Sequence, residues 1–131
     1  MLIDGFNGVY PAAVSPKDDA GKFSATRFEH LVDRMYEANV HGLYLCGNTG
    51  EGYLLPVNAR KEATEVAVER SKGKGKVVVH VGAPAEEDAV ALAKHAADVG
   101  ADAISSLPPY VQGYSFDEVH AHYTRLAYAS G

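Results

Sequence analysis

The stretch GLYLCGNTGEGY, Gly42 to Tyr53, decides how the chain reads. Leu43 to Cys46 is a short apolar run with the character of a buried strand. It passes directly into a loop with glycines at 47, 50 and 52, and Pro56 then precedes a helical stretch. In a strand-loop-helix unit the chemistry belongs where the strand ends. Glycine removes side chains that would block a ligand's approach, so the amides of Asn48, Thr49, Gly50 and Glu51 can converge on an anion. Asn48 and Thr49 add side-chain donors, and Glu51 is expected to turn away and brace the loop. A tight βα turn with no ligand fits the same spacing.

Working outward, the chain passes four times from a short apolar run to a turn and then to an amphipathic stretch ending at Gly or Asn. The first strand is expected near Gly8 to Val14, followed by the loop SPKDDAGKF. Ser24 is a cap for a helix in which Phe28, Leu31, Val32, Met35 and Tyr36 fall at i, i+3, i+4, i+7 and i+8. Asn39 is expected to end it in a left-handed conformation. Beyond the central loop, Asn58 is expected to cap a helix to about Arg70 whose core face is Ala59, Ala63, Val66 and Ala67. VVVHVG follows as a strand apolar on both faces, as parallel strands are. The next helix puts Ala89, Leu92, Ala93, Ala96 and Ala97 on one side and ends at Gly100. The fourth strand is Asp102 to Leu107, which Pro108 and Pro109 cut off, so that Tyr110 is presented at its end. Ser115 to Glu118 reads as a capping box, and Phe116, Val119, Tyr123 and Ala127 are expected to face inward.

This alternation predicts an α/β fold with a parallel sheet, either open and doubly wound or closed as a barrel. At 131 residues and 47% hydrophobic composition, the chain reads as a single domain, 1–131, with enough apolar residues for a core. A net charge of -5 without a basic, aromatic cluster argues against nucleic acid. The start, MLIDGFNGVYPAAV, lacks a basic region and a long apolar run, so neither a signal peptide nor a membrane span is expected, and the chain reads as soluble and cytoplasmic. Cys46 is the single cysteine, which excludes an intrachain disulfide.

The combination of GNTGE after the second strand, VHVGAP closing the third and PPY closing the fourth resembles the N-acetylneuraminate lyase and dihydrodipicolinate synthase family of Schiff-base aldolases. The resemblance runs from GVYPAAVSP to YSFDEVHAHY, and GLYLCGNTGEGY and KVVVHVG are closer to the lyase branch. It implies a parallel (β/α)8 TIM barrel, of which this chain matches four βα units, an amino-terminal half barrel. It implies a homo-oligomeric enzyme that joins a lysine to the keto carbon of pyruvate or another 2-oxo acid, with no metal or organic cofactor involved. By position the carboxylate-binding role carries over to Asn48, Thr49 and Gly50, with Tyr110 as a further substrate-binding residue. Asn48 stands where the family has Ser or Thr, Val111 where a relay tyrosine is common, and Ser15 where Thr is usual. An amide cannot pass a proton as a hydroxyl does. The family's catalytic tyrosine and lysine belong to the fifth and sixth strands, beyond residue 131, so the resemblance assigns no catalytic residue to this chain, and alone it is expected to be inactive. Sialic acid cleavage to pyruvate and N-acetylmannosamine is the first expectation. Dihydrodipicolinate synthesis, other 2-oxo acid chemistry of the family, and a noncatalytic βα scaffold or carboxylate-binding domain are the alternatives.

Other residues carry two readings each. Cys46 is a nucleophile or a small buried residue, and His80 a pocket contact or a core histidine. His120 and His122, two apart on a helix, face different ways and make a poor metal pair. Glu86, Glu87 and Asp88 open a helix, where they oppose its dipole.

Overall fold

The computed structural model describes residues 5–108 and 113–131. Three parallel strands lie side by side in the order β1 (Gly42–Leu45), β2 (Lys76–His80) and β3 (Ala103–Ser105). Helix α1 (Ala25–Glu37) precedes β1, and α2 (Val57–Ser71), α3 (Glu86–Asp98) and α4 (Phe116–Ser130) follow the three strands in turn. The segment expected as a first strand lies along β1 without forming a regular one. Val9 O accepts from His41 N at 3.0 Å, Pro11 O from Tyr44 N at 3.0 Å, and Ala13 N donates to Tyr44 O at 2.9 Å. Only Ala12 opposite Tyr44 qualifies as a bridge. Pro11 brings no amide, and Gly8 at φ +113 has left the extended region.

Register divides the sheet into two faces, because residues opposed in a parallel pair point the same way. Leu45, Val79 and Ile104 are in line, as are Leu43 and Val77. This is the helix-covered face, on which Leu43 is 0% and Val79 2% exposed. Each fully buried leucine there contributes about 1.5–3 kcal/mol. Tyr44, Val78 and Ala103 line the other face, joined by His80 and Ser105. Tyr44, Val78, Ala103 and Ser105 are only half-buried, so the side of the sheet away from the helices is open.

The helices follow their local signals where those signals are complete. Ser24 Oγ accepts from Arg27 N, Phe28 and Val32 are buried, and Asn39 terminates α1 at φ +59. Ser115 and Glu118 form the reciprocal capping box of α4, and Ala89, Leu92, Ala93 and Ala96 bury the face of α3. Three expectations are corrected. The second helix starts at Val57 with Pro56 in the cap position, so Asn58 lies within the first turn and caps nothing. Its buried face is Arg60, Ala63, Thr64, Ala67 and Ser71; Ala59 and Val66 are only half-buried. On α4 the inward residues are His122 and Leu126, while Phe116 is 82% and Tyr123 40% exposed and Ala127 is also exposed. The apolar pattern pointed to a stripe one position off, because His122 is held by polar partners and hydrophobicity alone does not mark it.

Candidate functional site

The turn after β1 is built by two left-handed residues and two close approaches. Cys46 (φ +57) swings the chain out of the strand, and Glu51 (φ +50, ψ 34) closes the turn. Each such conformation in a residue with a side chain costs roughly 1–3 kcal/mol. Closure comes from Gly52 N–H donating to Gly47 O at 3.1 Å and Glu51 N–H donating to Asn48 O at 3.0 Å. This nested pair is the one that ends helices in the Schellman manner, with Glu51 in the position glycine usually takes. The glycines serve a purpose that spacing did not reveal. A Cβ on Gly52 would stand 1.8 Å from Cys46 O, and one on Gly50 would stand 2.8 Å from Ala13 O. They let the turn fold against the backbone of its own strand and of the segment beside it.

Partners from the first loop clamp this arrangement. Ser15 Oγ donates to Gly50 O at 2.7 Å, and Lys17 Nζ meets Glu51 Oε2 at 3.0 Å. Glu51 therefore braces the loop as expected, through an exposed pair worth at most about 1 kcal/mol. Its amide is spent on Asn48 O, which removes it from the expected set of converging donors. The amides of Asn48, Thr49 and Gly50 donate to no protein acceptor among the described residues. Asn48 and Thr49 are exposed and Gly50 is buried. Tyr110 and Val111 lie outside the described residues.

Behind the turn is a buried polar group that sequence reasoning only half saw. His80, 4% exposed, accepts from Leu107 N through Nε2 at 3.2 Å, and its Nδ1 is buried without a partner. Burial, reinforced by the nearby Arg60 charge, pushes the imidazole below the usual histidine range against an opposing pull from the Cys46 backbone. Arg60, 2% exposed, reaches from α2 to the end of β2, with Nη1 donating to Gly82 O at 3.0 Å and Nη2 to His80 O at 2.6 Å. Its one legible signal was an arginine three, four and seven positions before Ala63, Thr64 and Ala67, at the start of a buried stripe. Cys46 is 3% exposed, and burial raises its thiol despite the neighbouring Arg60. This environment holds the thiol neutral and leaves it a packing residue rather than a nucleophile.

Tyr44 was also missed. Its ring would meet a Cβ on Gly47 at 2.5 Å, and its hydroxyl is 2.7 Å from Ser105 Oγ on the open face. Among the other candidates, Glu86 does more than oppose a helix dipole. Its Oε1 is 3.0 Å from Arg125 Nε and 3.6 Å from His122 Nδ1, tying α3 to α4. His120 stacks on Phe116, and no cluster of metal-ligating side chains occurs among the described residues. Nor does any described helix have the length and apolarity to cross a membrane. Lys17, Lys72, Lys74 and Lys76 all face carboxylates, and the Asp102 hydrogen bond raises the Lys76 amine, the opposite of what an imine-forming lysine needs. A concavity of about 510 Å³ lined by Asp33, Tyr36 and Lys74 is far from the turn chemistry, and Arg70 and Lys74 already neutralise Asp33 there.

Parallel βα units with a donor-bearing turn at a strand's carboxyl end define an α/β protein. The chain belongs to the Dihydrodipicolinate synthetase family, whose pattern it matches over residues 5–131. N-acetylneuraminate lyase of Citrobacter koseri is 34% identical over 119 residues, which are 91% of this chain and 40% of that protein. The crystal structure of N-acetylneuraminate lyase from Mycoplasma synoviae superposes with a TM-score of 0.89 at 33% identity, covering 95% of this chain and 43% of that one. Dihydrodipicolinate synthase from Aquifex aeolicus gives a TM-score of 0.87 at 27% identity over 95% and 42%. The chain thus spans about two fifths of the length of these relatives, and its parallel strands and helices share the fold of that part of them.

Proposed function

We propose that this chain is the carboxylate-anchoring portion of a Schiff-base lyase acting on a 2-oxo acid, with sialic acid cleavage as its reaction. The observation that carries the reading is the turn after β1, where the amides of Asn48, Thr49 and Gly50 are uncommitted among the described residues and Ser15 and Lys17 hold the loop from outside. A pyruvate carboxylate placed there gains charge-assisted hydrogen bonds from those amides and from the Thr49 hydroxyl. Fixing the carboxylate orients the keto carbon for attack by an amine. The imine-forming lysine and proton-moving tyrosine belong, in this reading, to strands of the barrel that the chain does not span. Asn48 serves as an anchor and not as a proton carrier, since an amide does not exchange its proton in the manner of a hydroxyl. The lyase reading is preferred to the synthase because the 34% identical relative is a lyase. A homo-oligomer and a cytoplasmic setting belong to the same proposal.

Thr49→Val keeps the shape of the side chain and removes its donor. Pyruvate affinity measured by calorimetric titration should fall about tenfold to a hundredfold, the worth of one hydrogen bond to a charged group. An unchanged titration would remove Thr49 from the site.

A further inference from the structure

Arg60 is a cation in an unusual position. It is 2% exposed, and among the described residues it has no ion pair. Its two terminal nitrogens bind the His80 and Gly82 carbonyls, and its Nε is buried with no acceptor. The side chains nearest to it supply no negative charge, because Cys46 is kept as a thiol and His80 as a neutral ring. Thr64 contributes only a hydroxyl, which donates to the Arg60 carbonyl at 2.9 Å. A buried charge without a counter-charge is costly, and tying down two carbonyls would not by itself require a full positive charge. The counter-charge must come from elsewhere.

The turn supplies the place for it. Cys46, beside the guanidinium, is the residue from which the turn springs, and Gly50 and Gly52 pack on the Cys46 backbone. We infer that Arg60 is a positioning residue of this site, an unneutralised guanidinium sealed behind the 47–52 turn that ties the end of β2 to α2 and favours negative charge on the ligand. The inference rests on the carboxylate reading of the turn. Arg60 touches no ligand in this arrangement. It acts through the low-dielectric layer formed by Cys46 and the turn, where a charge is weakly screened.

The test compares two ligands that differ mainly in charge, pyruvate and pyruvamide, titrated against the full chain. In Arg60→Gln, pyruvate affinity should fall about tenfold and pyruvamide affinity less than about twofold, since only the anion feels the lost field. Equal loss for both ligands would show a purely structural arginine, and no loss would show that the field does not reach the turn. Arg60→Lys covers the case in which the glutamine variant does not fold. Its preference for pyruvate over pyruvamide should decline from about pH 7 to about pH 9.5 as the buried amine loses its proton, while the wild-type preference stays level. A level preference in both proteins overturns the inference. If wild type binds neither ligand, the carboxylate reading fails on its own, and the His80 ring protons followed by NMR decide the rest. Removing the Arg60 charge should raise the His80 midpoint, and an unmoved midpoint overturns the proposed field.

Discussion

Gly52→Ala tests the construction of the turn directly. The added methyl would stand 1.8 Å from Cys46 O, 2.6 Å from its carbonyl carbon and 3.0 Å from its Cα, all of them backbone atoms that no side-chain rotation can clear. An ordinary carbon-to-oxygen contact is about 3.3 Å or longer, so the turn must move away by roughly 1.5 Å. That displacement breaks the Gly52 N to Gly47 O bond, worth about 1 kcal/mol, and adds the roughly 1–3 kcal/mol of an overpacked site. The expected loss is about 2–4 kcal/mol, or a fall in melting temperature of roughly 10 °C for a chain of this size. Gly21→Ala is the control, because Gly21 has φ +79 but open space around it. It should cost only about 1–2 kcal/mol of backbone strain. Denaturant unfolding of the three proteins supplies the comparison, with amide NMR of Asn48 to Gly50 to report displacement of the turn. Should Gly52→Ala unfold at or above the Gly21→Ala midpoint with those amide shifts unchanged, the turn does not pack on Cys46 as described.

Ser115→Ala removes the acceptor for Glu118 N and should cost about 1 kcal/mol, read as fraying of α4 in hydrogen exchange. His80 has a lowered pKa in the fold, so its contribution to stability is complete above the unfolded value near 6.5 and is lost as pH falls through that value toward the folded one. The stability difference between wild type and His80→Gln should therefore shrink from about pH 8 to about pH 5 at up to about 1.4 kcal/mol per pH unit; a difference that does not vary with pH would contradict the buried neutral ring. Incubation with pyruvate and borohydride should leave the mass of the chain unchanged, since Lys17, Lys72, Lys74 and Lys76 face carboxylates that favour the charged amine over the neutral one an imine needs. A stoichiometric adduct on one lysine would move the active site into this chain.

The sequence by itself determined what local rules govern. The caps at Ser24 and Ser115, the left-handed Asn39 and Gly100, and the α3 stripe were readable because each depends on residues within a turn or two of one another. The quoted motifs likewise placed the donor turn at the end of a strand. Tertiary structure decided what depends on partners far apart in the chain. Arg60 is polar by type and is buried only because the His80 and Gly82 carbonyls, 20 and 22 residues further along the chain, are placed to accept from it. His122 was passed over for Phe116 and Tyr123 because hydrophobicity ranks an isolated side chain, whereas burial follows from the Ser106 and Glu86 contacts that satisfy it. The edge segment at Val9 to Ala13 lost its regularity to Pro11, which mattered only once β1 was there to be paired. Gly50 and Gly52 were read as room for a ligand, but the fold uses them as room for the backbone of Ala13 and Cys46, and one-dimensional spacing cannot tell the two uses apart.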